Sequence, residues 1–276
     1  MTIAQKLDEL LQKDQDKIER WFTQNLQYSR AFKRAFIRQW LAELSEFDTD
    51  DTGRVIIPTM PNRQRLDNLI KTIRQALEQA GLQEYTEQLV KSLDKRVRTA
   101  NTLWNQLKFD PAKIENLDEL PVVLEHIQNV RNSVIRGSVA QEQELYGALL
   151  QFSRSFTEQG VGIDYANLKR TLVSKAGILP KYAGTIANTE LFGLSRTIRK
   201  EQGVKAGLEY AKYYGPLDKI TRPFCARHVG TIENWEYWSN VLNDTGPQPP
   251  SIYGGGYNCR HSLVPTDPDW DNIEWD

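Results

Sequence analysis

Long apolar runs are missing from this sequence, and no charge of one sign dominates it. No stretch approaches the ~20 consecutive apolar residues of a membrane-spanning helix. Met1 to Arg20 is polar and amphipathic, without the layout of a signal peptide. The 35 Lys and Arg nearly cancel the 36 Asp and Glu, which excludes a chain-wide field drawing the protein onto nucleic acid or an anionic membrane and leaves only local contacts of that kind. Cysteine and histidine are scarce, at 2 and 3 residues. Two cysteines build no disulfide framework, and a reducing, cytoplasmic setting is the expected one. A glycine-rich phosphate loop is missing too: Gly254, Gly255 and Gly256 lead into Tyr257, Asn258 and Cys259, not into Lys-Ser or a helix start.

What is present suffices for a folded core. With 276 residues, 39% of them hydrophobic, the chain can form one large domain or two smaller ones. From Thr2 to Phe156 the pattern is almost wholly helical. Ile3, Leu7, Leu10, Ile18 and Trp21 mark one apolar stripe; Phe32, Phe36, Trp40 and Leu44 mark a stripe on a second helix. Asp48 to Pro61, with its Asp-Thr-Asp-Asp-Thr-Gly run and two prolines, predicts a long exposed loop or hinge. Leu66, Leu69, Ile73 and Leu77 restart the periodicity. Leu89, Leu93, Val97, Ala100, Trp104 and Leu107 then predict one long helix closed by Asp110-Pro111. Val123, Ile127, Val130 and Val134, then Leu145, Leu149, Phe152 and Phe156, predict two more helices joined at Gly137-Ser138.

Composition shifts between Glu158 and Gly162, the expected boundary between lobes. Asp164 can cap a short helix reaching Lys175, and another helix follows Pro180 with Ile186, Thr189, Phe192 and Ile198 on it. Beyond Gly203, extended pieces over Leu208 to Tyr214 and Ser262 to Val264 are separated by Pro and Gly. The expected class is therefore mainly α: a multi-helix region over 1–160, a small α+β module over 161–266, and an acidic, Trp-containing tail over 267–276.

Both cysteines and two of the histidines fall into two short pairs, Cys225-Ala226-Arg227-His228 and Cys259-Arg260-His261. Zinc takes four soft or borderline ligands in a tetrahedron, commonly from two short pairs on tight turns. Cys225-x-x-His228 has the ordinary knuckle spacing. Cys259-x-His261 places i and i+2 on one face of an extended segment, and the glycines before it let the backbone bend. Cys225, His228, Cys259 and His261 together would close the site, which makes a structural zinc the expected cofactor, since a catalytic zinc keeps a position for water. The other reading is a buried thiol pair beside two surface imidazoles without metal. His126, on the helix of Val123 and Ile127, reads as an edge histidine beside a core stripe.

The residues around these pairs carry a resemblance. Thr185-Ile-Ala-Asn-Thr-Glu190, Arg196, Gly207-Leu-Glu-Tyr210, Asp218-Lys-Ile-Thr-Arg-Pro-Phe-Cys225, Pro249-Pro250 and Asn258-Cys-Arg-His-Ser-Leu-Val-Pro265 stand in this order. Together they are similar to the head morphogenesis domain of the phage Mu F-like minor head proteins, from Gly177 to Thr266. Members of that family show an Ala-x-Thr-Glu helix, an Asp-x-x-Thr-x-x-x-Cys turn and an Asn-Cys-Arg-Cys segment ending in Leu-Val-Pro. This chain departs at His228 and His261, where the family commonly has cysteines, and each change exchanges one zinc ligand for another. It also has Gly256-Tyr257 where the family has His-Pro. The resemblance implies a minor structural protein of a tailed-phage virion, acting in head assembly at or near the portal vertex in several copies. The portal, other head or neck proteins and packaged DNA are the implied partners, and the implied places are the virion and, during assembly, the host cytoplasm. Some relatives carry a further C-terminal toxin domain; none is expected here.

Local charge adds candidates. Arg30, Lys33, Arg34 and Arg38 lay four positive charges along one helix face, which can hold DNA phosphates or an acidic patch of a portal ring, or simply face solvent. Arg196, Arg199 and Lys200 form a second small basic group. Trp270 and Trp275, set among acids, can anchor in a partner's groove or in the parent domain. No convincing catalytic constellation emerges. The enzyme alternative is a zinc-dependent hydrolase of nuclease or cell-wall type with Glu190 or Asp218 as general base, although Glu190 is better placed for a buried ion pair with Arg196 or Arg222.

Overall fold

The apolar stripes of the first half become helices whose ends differ from those their spacing suggests. The computed structural model describes residues 1–42, 47–51, 54–55, 60–159 and 163–273. Both leading stripes belong to a single helix, α1 (Ile3–Ala42). No Pro or Gly interrupts it, and its weakest helix formers are bonded where they are buried. Asn25 Nδ2 donates to Ser92 Oγ at 3.2 Å and to Asn188 Oδ1 at 3.0 Å, and the Ser29 and Tyr85 hydroxyls lie 2.9 Å apart. Leu44 lies outside the described residues.

Next come β1 (Arg54–Val55), α2 (Met60–Gln79), α3 (Leu82–Thr99) and α4 (Thr102–Gln106). The long helix expected through Leu107 is thus broken at residues 100–101. Asn101 turns its side chain to another segment there: Nδ2 donates to Ile114 O at 2.7 Å, and Ile114 N–H donates to Oδ1 at 3.2 Å. The opposite correction applies to α5 (Pro121–Gln159), one helix through Gly137-Ser138 where two were expected. Gly137 serves close approach instead of a turn, since a Cβ there would lie 2.8 Å from Leu179 Cδ1. The segment 160–162, where a boundary was expected, lies outside the described residues, as do the side chains of Phe156 and Asp164.

After β2 (Ile163–Asp164), which pairs antiparallel with β1, come α6 (Tyr165–Lys175) and α7 (Ile178–Lys205), both where expected. The expected extended pieces form β3 (Tyr210–Tyr214) and β5 (Ser262–Thr266), antiparallel, with Tyr210 opposite Thr266 and Tyr214 opposite Ser262. A third strand, β4 (Ile232–Asn234), joins the other edge of β3 and is too short to leave a periodic signal. Three short helices complete this region: α8 (Pro223–His228), α9 (Trp235–Asn240) and α10 (Pro250–Tyr253). The fold is therefore mainly helical with a small three-stranded sheet near the C-terminus. Among the described residues no helix is long and apolar enough to cross a membrane.

The chain forms two compact units that are not successive stretches of sequence. One comprises Met1–Asn25, Leu89–Val130 and Thr185–Asp276, the other Leu26–Gln88 and Arg131–Gly184. The first holds the three-stranded sheet and two apolar clusters. In one, Leu7, Leu10 and Leu11 of α1 meet Leu103, Trp104, Val264 and Trp270. In the other, Tyr213, Phe224, Trp238 and Leu263 surround both cysteines. Alternation along β3 buries Ala211 and Tyr213 while Tyr210 stays exposed, which sends Tyr213 into the second cluster.

Candidate metal centre

Cys225 rides on α8, a helix that Pro223 opens at its first position and that buries Phe224 and Cys225. Cys259 and His261 sit in the irregular stretch between α10 and β5. The turn leading to them needs residues tolerant of positive φ, with Gly254 at +55°, Gly256 at +102° and Asn258 at +55°. These glycines also make room. A Cβ at Gly254 would lie 2.7 Å from Cys259 Sγ, and one at Gly255 would collide with Cys225 Sγ.

The donor atoms of Cys225, Cys259 and His261 all lie within 4.8 Å of one another, and all three residues are buried. The sulfurs are 3.6 Å apart, and Cys259 Sγ is 3.7 Å from His261 Nδ1. A tetrahedral zinc with bonds of about 2.3 Å to sulfur and 2.0 Å to nitrogen has donor–donor edges of roughly 3.5–3.8 Å. The observed spacings match those edges. Two thiols and one imidazole form a soft donor set, and His261 Nε2 is buried without a partner. This cluster can hold a metal ion.

His228 does not join it. Its Nδ1–H donates to Phe224 O at 2.7 Å, capturing a carbonyl in the last turn of α8, and its Nε2 lies 3.1 Å from the Tyr237 hydroxyl. The expected Cys2His2 set is corrected to three converging residues. The spacing 225-x-x-228 carries no warning of this, because the competing acceptor is the backbone of the same short helix.

Two further residues frame the cluster, one of them absent from the sequence-based candidates. Tyr213 Oη lies 3.4 Å from Cys225 Sγ and 3.6 Å from Cys259 Sγ, with its ring stacked on His261 at 5.4 Å and 10°. Arg196 is fully buried and donates from Nε to Ile252 O at 2.5 Å and from Nη1 to the carbonyls of Cys259 and His261. One guanidinium thereby fixes the backbone of two donor residues. Gly255 N–H donates to Cys259 Sγ at 3.1 Å. The hydrogen bond between the sulfurs pushes the Cys225 thiol up, with burial adding to it. The same bond holds Cys259 well below the ordinary thiol range against its burial, helped by His261 and Arg196.

The other motif residues have structural posts. Asp218 closes a turn: its Oδ1 accepts from Ile220 N at 3.1 Å and from Thr221 Oγ1 at 3.2 Å, while Arg260 Nη2 donates to Oδ2 at 2.5 Å. That Arg260 bond holds the exposed carboxyl below the ordinary range. Thr189 Oγ1 accepts from Asn258 N at 3.0 Å. Glu190 pairs not with Arg196 or Arg222 but with His126, whose Nδ1 is 2.5 Å from Oε2. His126 is accordingly a buried histidine and not an edge one, while Arg222 donates to Tyr257 O at 2.5 Å.

Arg196 and Arg199 form no surface basic group, since both are buried. Arg199 Nη2 donates to Asp14 Oδ2 at 2.5 Å, and Arg96 Nη1 donates to Oδ1 of the same carboxylate at 3.3 Å. Lys200 is half-buried and donates to Ser239 Oγ at 3.3 Å. Of the stripe on α1, Arg30, Arg34 and Arg38 are exposed and Lys33 is half-buried. Trp270, weighed as an anchor for a partner or for its own domain, is 8% exposed and meets Phe109 edge-on at 5.8 Å, so it is spent on the molecule's own core. Trp275 lies outside the described residues.

Two surface cavities, of about 250 Å³ beside Phe32 and Tyr85 and about 660 Å³ beside Arg98 and Leu117, include no residue of the cluster. No known protein family, curated protein or solved structure matches the chain.

Proposed function

We propose that the protein is a minor structural component of a tailed-phage virion, acting in head assembly at or near the portal vertex, and that its Cys225/Cys259/His261 cluster holds a structural zinc. The observation that supports this most is the use made of the motif residues. Arg196 holds the carbonyls of Cys259 and His261, Thr189 holds Asn258, and Asp218 with Thr221 holds the turn before α8. Such residues keep about a hundred residues in shape, which is what a head-assembly module needs from its signature. Zinc is the fitting ion, because two thiolates and an imidazole suit its borderline-soft character and all three residues are buried. No specific observation favours the hydrolase alternative: Asp218 is tied to Arg260 and Glu190 to His126.

In this reading the exposed Arg30, Arg34 and Arg38, with Lys33, face packaged DNA or an acidic patch on the portal or a neighbouring head or neck protein. The deciding experiment is particle-based. Virions purified through a gradient should contain the polypeptide at a fixed, low copy number, and deletion of its gene should yield defective heads. A protein left in the host lysate while complete, infectious particles form without it would end the proposal. Metal analysis of the purified protein, with Cys225→Ser as the paired variant, tests zinc separately: the variant should lose both the metal and folding stability.

A further inference from the structure

We infer that the phenol oxygen of Tyr213, and not the imidazole of His228, is the fourth donor at the Cys225/Cys259/His261 cluster. The inference rests on the metal-site reading above and adds a ligand to it. Its basis is position. Tyr213 Oη is 3.4 Å and 3.6 Å from the two sulfurs, which are themselves 3.6 Å apart. An oxygen and two sulfurs on three corners of a zinc tetrahedron should be separated by roughly 3.5–3.8 Å. The oxygen sits almost equally near each sulfur, as a donor at a third corner of the same tetrahedron would.

The fold fixes Tyr213 in that place. It lies on the central strand of the sheet, opposite Leu263 on β5. Its backbone is held on the other side as well: N–H donates to Thr231 O at 2.9 Å, and the carbonyl accepts from Gly230 N at 2.8 Å. Its ring is fully buried and nearly parallel to that of His261, 10° apart. His228, by contrast, has both ring nitrogens engaged, with Phe224 O and the Tyr237 hydroxyl, and packs its ring on Phe224 at 4.3 Å. Ligation by His228 would give up at least one of these bonds, whereas ligation by Tyr213 replaces its contacts with the sulfurs and releases the phenol proton to solvent.

Full-length protein labelled with ¹³C at tyrosine Cζ and loaded with ¹¹³Cd in place of zinc tests this by NMR. The expected result is one tyrosine Cζ resonance showing scalar coupling to cadmium, absent from Tyr213→Phe and retained in His228→Asn. Tyr213→Phe should weaken metal binding roughly tenfold or more, and His228→Asn by less than about threefold. Cadmium bound by both cysteines without any coupling to tyrosine would overturn Tyr213 as a ligand and leave the metal site standing. Coupling to a ¹⁵N-labelled His228 ring would overturn it in favour of the histidine. Failure of the wild-type chain to bind either ion would remove the metal site and this inference together. Near-UV circular dichroism of the Tyr213→Phe protein separates lost ligation from lost folding.

Discussion

At the scale of single residues, the least expected feature is the charge buried among α1, α3 and α7. Asp14, Arg96 and Arg199 are each less than one-tenth exposed, and one carboxylate serves two guanidiniums. Burial alone would raise the Asp14 pKa, but Arg96 and Arg199 override it and hold the carboxyl below the ordinary aspartate range. A folded-state pKa below the unfolded one means that the contribution to stability is complete above the usual carboxylate range and is lost as pH falls through the folded value. Asp14→Asn should leave two buried cations without their counter-charge and cost about 3–5 kcal/mol. Urea midpoints measured from neutral pH down to pH 3 should fall for the wild type and be flatter for the variant; equal acid slopes would refute the role given to Asp14. Gly255 offers a second test, because a Cβ there meets a sulfur with no free direction. Gly255→Ala should destabilise by about 1–3 kcal/mol through overpacking and make Cys225 and Cys259 reactive toward a thiol reagent. Neither feature is legible in the sequence. Asp14 and Arg199 are 185 positions apart, and Arg199 reads as a surface charge beside Lys200 until the helices are placed.

At the scale of elements, legibility follows periodicity. The stripes that predict α2 and α7 are long enough to fix them, the cap at Asp164 marks the start of α6, and the extended piece over residues 208–214, set off by glycine and proline, becomes β3. The failures are at joints. Gly137-Ser138 looks like a helix break yet lies inside α5, because tertiary contact with Leu179 gives the glycine a use there. Asn101 looks like an ordinary helical residue yet ends α3, because its amide finds Ile114. Each joint is decided by a residue far away in sequence. The same holds for the tail, whose acidic, Trp-containing composition suits an anchor in a partner's groove or in the parent domain alike. Trp270 fills space between Phe109 and the cluster of Leu7, Leu10 and Trp104, and Ile3 N–H donates to Ile273 O at 2.8 Å. Among the described residues of the tail, Trp270 thus belongs to the core while its neighbours from Pro268 to Ile273 stay exposed. Trp270→Ala should cost about 3–5 kcal/mol and accelerate amide exchange at the start of α1. An unchanged melting temperature would mean that the indole contributes no packing.

At the scale of the whole molecule, the two compact units draw on the same long helices but only one carries the Cys/His cluster. That asymmetry makes metal linkage a test of how the fold is held. An ion that binds only the folded state at a hundred times its dissociation constant stabilises by about 2.7 kcal/mol. The segments that feel it directly are those its donors belong to, α8 and the stretch from α10 into β5, with β3 between them through Tyr213. Chelation of the zinc-loaded protein should therefore lower the unfolding midpoint and raise hydrogen exchange first in residues 210–266. Exchange in Leu26–Gln88 and Arg131–Gly184 should change least. Uniform loss of protection over both units would show that the metal governs the chain as one cooperative body. No loss anywhere would show that Arg196 and the aromatic packing hold the cysteines in place unaided. The first pattern would support the proposed head-assembly role, because it would confine the effect of the ion to the segments that carry its donors.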